Sequence, residues 1–119
     1  MTEYYIMKET DRSNFFRPKA IISLNDYQLC ISKNPNTTWF ENTNHGKEIL
    51  KSYKFQLKRR AYVNYNENSS ENFCHLLWSK YGYITVVFEN QIFDEDMIVI
   101  KQIADTLDAG MLKYTIEEE

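Results

Sequence analysis

The chain has 119 residues, 43% of them hydrophobic and 15% aromatic, with three Gly, two Pro and a formal net charge of −3. That length suits one domain whose core needs no staples, and so few chain breakers exclude a disordered or loop-rich scaffold. A pI near 5.4 argues against nucleic acid as the main partner, and no apolar run approaches the roughly 20 residues that span a bilayer.

Taken in chain order, residues 4–8 read as a short, edge-compatible strand. Residues 11–19 read as a loop that Phe15-Phe16, before Arg17-Pro18, anchors on the core. Segments 20–24 and 27–32 flank Asn25-Asp26, two residues that tolerate positive φ, and this pattern predicts a hairpin. Asn34-Pro35-Asn36-Thr37-Thr38 is a turn, after which Trp39-Phe40 returns apolar mass to the interior. Ile49, Leu50, Tyr53 and Leu57 share a helical face, yet Tyr53, Phe55 and Leu57 also alternate as a strand would. The expectation taken here is a helix over 46–59, then an extended piece through Tyr65.

Beyond a polar stretch at 66–70, Ser70 precedes Phe73, Leu76, Leu77 and Tyr81, and the spacing predicts a helix over 71–80 that Gly82 stops. The last forty residues read as one strand–turn–helix–strand unit. Residues 83–88 form a β-branched and aromatic strand, Glu89-Asn90 a turn, and Asp94 a helix cap. Met97, Ile100, Ile103, Ala104 and Leu107 make the helical stripe, Gly110 the stop, and 111–116 the closing strand. The fold expected is a single α+β domain over 1–119. Its sheet is antiparallel or mixed, of about five strands, with two or three helices packed on one face.

Charge is unevenly shared. Residues 1–88 carry 12 Lys and Arg against 8 Asp and Glu, whereas residues 89–119 carry 2 against 9. The basic run Lys47, Lys51, Lys54, Lys58, Arg59 and Arg60, interleaved with Tyr53, Phe55 and Tyr62, could line a solvated helix or meet nucleic acid. Asp94, Glu95 and Asp96 satisfy a helix N-terminus without any chemistry.

Catalytic and metal motifs are absent from the sequence, so no cofactor, metal or catalytic residue is expected. Cys74-His75 is the only adjacent thiol and imidazole, and on a helix neighbours diverge by about 100°. A small enzyme centred on Cys74 or His75 is therefore a rival reading. His45 lies in a polar loop, and Gly46, Gly82 and Gly110 stand alone rather than in a phosphate-binding loop. Cys30 and Cys74 have no metal-type spacing, and two buried free thiols are expected. The start of the chain lacks the basic and apolar blocks of a signal peptide, so a cytoplasmic location is expected.

At Ile84-Thr-Val-Val-Phe-Glu-Asn, and again at Ile103-Ala-Asp-Thr-Leu-Asp-Ala before the closing strand, the chain resembles small bacterial immunity proteins of polymorphic or contact-dependent toxin systems. The resemblance covers residues 83–116. It departs where an acidic Gly-Asp-Asp-Gly-Glu type ending often follows, for here the chain reads Gly110-Met-Leu-Lys-Tyr-Thr-Ile. The resemblance implies a non-catalytic binding protein that neutralises a cognate toxin. Charge layout suggests a basic partner, such as the substrate groove of a nuclease, met by Asp94, Glu95, Asp96, Asp105 and Asp108 with exposed Tyr as anchors. The alternative is a nucleic-acid-binding or phage-type regulatory protein that uses the basic 47–60 segment. The aromatic excess would also serve a homo-oligomer.

Overall fold

Alternation of apolar and polar residues decides which side each strand of this protein buries. The computed structural model describes residues 2–8, 21–52, 57–67, 74–89 and 92–115. In chain order these form β1 (Thr2–Met7), α1 (Leu24–Lys33), β2 (Thr37–Trp39), a 3-10 turn (Phe40–Asn42) and α2 (Asn44–Ser52). Then follow β3 (Arg60–Val63), β4 (Cys74–Trp78), β5 (Ile84–Phe88), α3 (Asp94–Thr106) and β6 (Gly110–Thr115). The strands make one sheet in the order β2-β3-β4-β5-β1-β6, every pairing antiparallel. The class is α+β, with six strands and three helices among the described residues. No helix is long and apolar enough to cross a membrane among these residues.

Register aligns one inward row across five strands: Trp39, Ala61, Leu76 and Val86 are buried successive partners, and half-buried Tyr4 continues the row. Ile84, Ile6 and Val63 belong to the same core, and α1 and α3 close over it with Tyr27, Cys30, Ile31, Val99, Ile100, Ile103, Ala104 and Leu107. Of the stripe expected for α3, Ile100, Ile103, Ala104 and Leu107 are buried and Met97 is half-buried; Val99, outside that stripe, is buried as well. Tyr27 is fully buried; its ring meets Trp39 edge-on at 5.8 Å and its hydroxyl donates to the Arg59 carbonyl at 2.8 Å. That bond satisfies the polar tip of a core aromatic. Cys30 and Cys74 are both buried and free.

Several elements differ from the sequence expectation. The segment read as a hairpin around Asn25-Asp26 is α1. Ser23 caps it, its Oγ accepting from the Asp26 N–H at 3.1 Å, and Leu24, Tyr27, Cys30 and Ile31 fall on one helical face. Asn25 and Asp26 are simply its exposed first turn. Over 71–80 the expected helix is β4 instead, with 71–73 outside the described residues. Paired on both sides, it turns Cys74, Leu76 and Trp78 to the helices. Gly82 ends no helix; it closes the β4–β5 hairpin at φ +87°, where an added Cβ would stand 2.3 Å from Ile21 Cβ.

The helix expected over 46–59 begins and ends earlier, as α2; residues 57–59 are a turn and 53–56 lie outside the described residues. Its cap is Thr43, fully buried, whose hydroxyl donates to the Phe40 carbonyl at 2.7 Å and accepts from the Gly46 N–H at 2.9 Å. At α3 the cap position is Phe93, with Asp94 the first helical residue. The residue that terminates the helix, after Thr106 and the Leu107 cap, is Asp108 and not Gly110. Asp108 takes φ 52°, its N–H donates to the Asp105 carbonyl at 3.1 Å, and the Ala109 N–H donates to the Ala104 carbonyl at 2.8 Å. This is the left-handed Schellman ending, and Gly110 opens β6. The 11–19 loop, Asn90, residues 68–70 and the tail from Ile116 to Glu119 lie outside the described residues.

Candidate partner-binding site

The end of the sheet where β5 hands over to α3 gathers acid around apolar surface. Phe93 opens the helix without a side-chain cap, its carbonyl accepting from the Asp96 and Met97 N–H groups at 3.1 and 3.2 Å. Asp94, Glu95 and Asp96 fill the first turn, where free N–H groups and the helix dipole favour carboxylates. Asp94 and Glu95 are exposed; Asp96 is half-buried, its Oδ1 accepting from Asn64 Nδ2 at 2.8 Å. That bond ties the helix start to the chain just beyond β3.

Ile92, Phe93 and Ile98 also face solvent here, Phe93 41% and Ile98 58% exposed. Sequence reasoning missed them as anchors and proposed Tyr instead; among the Tyr side chains that the structure describes Tyr81 alone is exposed, and it lies elsewhere. A signal existed. Ile98 falls off the buried stripe of α3, and two bulky apolar residues precede an acidic helix start.

Asp105 and Asp108 are exposed too, but at the other end of α3. Eleven residues separate Asp94 from Asp105, about 16 Å along a helix, and exposed Lys101 stands between them. The five carboxylates are therefore two groups. Asp108 borders a groove of about 670 Å³ between α1 and α3, with Leu29, Cys30, Lys33, Gln102 and Leu107 also on its walls.

The basic run is divided as well. Lys47 and Lys51 lie exposed on α2, Lys51 paired to Glu48 at 3.0 Å. Lys58 sits in the turn before β3, and Lys54 lies outside the described residues. The Arg59 guanidinium covers the Trp78 ring at 4.9 Å, while Arg60, on the opposite side of the sheet, covers Phe40 at 5.5 Å. These cations do not share one face.

Comparison with protein-family models, with curated proteins and with solved structures finds no match. The site rests on geometry alone.

Cys74 and His75 alternate on β4, so thiol and imidazole point to opposite faces of the sheet. Burial first, and the Asp96 carboxylate second, push the Cys74 thiol far above its ordinary pKa, which leaves it protonated and a poor nucleophile. His75 is 6% exposed on the side away from α1 and α3, its ring 5.6 Å from Tyr62, which in turn neighbours Phe40 and Tyr65. Its Nε2 stands 3.3 Å from Glu89 Oε1, near enough for charge attraction but without hydrogen-bond geometry, and Nδ1 has no partner. No group of three or more potential metal ligands occurs among the described residues.

Proposed function

We propose that this chain is a protein-binding module that captures a basic partner with the acidic end built around the start of α3. The observation that carries this reading is the exposure of Ile92, Phe93 and Ile98 among Asp94, Glu95 and Asp96. Apolar anchors supply affinity when a partner excludes water from them, and a surrounding single sign of charge supplies partner choice and a fast encounter. The site is rigid: the carboxylates stand on a helix whose opposite side is locked into the core by Val99, Ile100 and Ile103. A preformed surface loses little conformational entropy on binding.

The resemblance of residues 83–116 to immunity proteins of toxin systems supports the same reading and gives it a biological form, neutralisation of a cognate toxin. The partner chemistry that fits is a positively charged groove or patch with an apolar centre, as a nuclease toxin would offer. The test is a pull-down from the native host with two baits, the natural chain and an Asp94→Lys/Glu95→Lys variant, followed by mass spectrometry. The natural chain should retain a basic protein that the variant loses and that high salt releases. Recovery of the same protein by both baits at equal yield would remove this surface from the function.

A further inference from the structure

The two edges of the sheet differ in kind. β2 is three residues long and runs straight into the 3-10 turn, so it offers little ladder to an added strand. β6 is six residues long and pairs with β1 in unbroken register, from Gly110 opposite Met7 to Thr115 opposite Thr2. It contains no Pro and no bulge, and no strand lies on its other side among the described residues. In an antiparallel pair, alternate residues turn both N–H and C=O away from the neighbouring strand. Every second residue of β6 therefore presents a donor and an acceptor that the sheet does not take up. Lys113, the charge on the strand, leans back over β1, its Nζ 5.9 Å from the centre of the Tyr4 ring.

Charge around this edge is chiefly acidic. Asp105 and Asp108 come just before the strand, Glu3 stands on β1 opposite Tyr114, and Glu117, Glu118 and Glu119 follow in sequence. Against these six stand Lys8 beside Met7, Lys113 itself, and Lys101 one turn before Asp105. Lys58, Arg59 and Lys80 share the Gly110 end, but on β3 and the β4–β5 hairpin, with β1 between them and β6. A second copy suits this edge poorly. Pairing β6 to β6 antiparallel would set the acid before one strand against the acid after the other. The edge is also separate from the start of α3, which Asn64 ties down beyond β3; β4, β5 and β1 intervene, about 19 Å across the sheet.

We propose that the open edge of β6 takes up an extended segment of a foreign polypeptide as a seventh strand, and that this segment carries Lys or Arg at its ends. Main-chain hydrogen bonds to alternate residues of β6 supply affinity, and the flanking carboxylates select basic ends. Side chains of the added strand fall beside Leu112 on one face of the sheet and beside Met111 and Lys113 on the other. The inference does not rest on the proposed function, since it concerns another surface and is read on the purified chain.

Amide hydrogen exchange followed by NMR tests it. The probe is a labelled synthetic peptide of alternating Thr and Val, as long as β6, with paired Lys at both ends. It should bind the natural chain and slow exchange at alternate N–H groups between Met111 and Thr115 by at least about tenfold, which side-chain contact alone does not do. The same peptide ending in paired Glu should bind at least about tenfold more weakly in low salt, with the gap closing as salt rises. Leu112→Pro and Lys113→Pro remove neighbouring N–H groups, one from the ladder to β1 and one from the open side. Thermal unfolding tells them apart, and the more stable of the two should lose the peptide. Absence of binding at millimolar peptide overturns the proposal, as does binding that leaves exchange in β6 unchanged or that ignores the charge of the ends. A free chain found as a dimer with its β6 amides already protected also overturns it, and gives the edge to a second copy.

Discussion

His75 is held in a state that suits only a neutral imidazole, buried against Tyr62 with no hydrogen bond at either ring nitrogen. Burial first, and the Arg60 guanidinium second, lower its pKa; the half-exposed Glu89 carboxylate pulls the other way and does not overcome them. An imidazole in the unfolded chain takes its proton near pH 6.5. The unfolded state therefore binds a proton in a range where the folded state does not. The contribution of His75 to stability is complete above about pH 6.5 and is lost as pH falls toward its folded value. His75→Phe keeps the ring beside Tyr62 and removes both orphaned nitrogens. It should be at least as stable as the natural chain at pH 7, since apolar replacement of unpaired polar groups costs little. Urea unfolding from pH 7 down to pH 5 should show a shallower loss for the variant. Parallel curves for the two proteins would mean that His75 is not what titrates.

The end of α3 carries a conflict that substitution can relieve. Asp108 occupies a left-handed position, which Asp tolerates better than most residues, but its carboxylate sits at the negative end of the helix dipole with Asp105 one turn back. Asp108→Asn keeps the backbone preference and removes the charge, and should raise the unfolding free energy by about 0.3–1 kcal/mol in low salt. The gain should shrink in high salt, as thermal unfolding at two ionic strengths would show. The β5–α3–β6 unit was legible in sequence because its signals are local: a β-branched strand, an acidic first turn and a periodic stripe. Segments 24–33 and 74–78 were not, because their apolar residues fit both periods within so short a window. What chose the helix at α1 was Ser23 as a cap, and what chose the strand at β4 was β3 and β5 on its two sides, partners that no local window contains. The carboxylates of the candidate site could be read from sequence for the same local reason. The position of Ile98 off the buried stripe was legible too, but that Ile92 and Phe93 stay exposed was not, because it depends on what the rest of the chain leaves uncovered.

Across the whole molecule, the acidic excess of residues 89–119 is divided in space: Glu89, Asp94, Glu95 and Asp96 stand at one end of the strands, and Asp105 and Asp108 at the other, the end that also carries Lys58, Arg59 and Lys80. The concentration of acid at the start of α3 orients an approaching basic partner before contact. It also assigns different work to the two acidic groups of α3. A standard interface covers roughly 800 Å² on each partner, wide enough to reach from Phe93 to Asp105. Asp105 and Asp108 would then lie at its solvated rim, whereas Asp94 and Glu95 border its apolar centre. Rim charges steer encounter and act on the association rate, while charges beside desolvated anchors also hold the complex together. Asp105→Lys/Asp108→Lys should slow association with the captured partner, with the difference vanishing as salt is raised and dissociation unchanged. Asp94→Lys/Glu95→Lys should slow association and also speed dissociation, and the faster dissociation should persist in salt because contact, not distance, causes it. Surface plasmon resonance at two ionic strengths separates these outcomes. Equal effects of both pairs on dissociation would place the centre of the interface along the middle of α3, near Ile98 and Lys101, and not at its start.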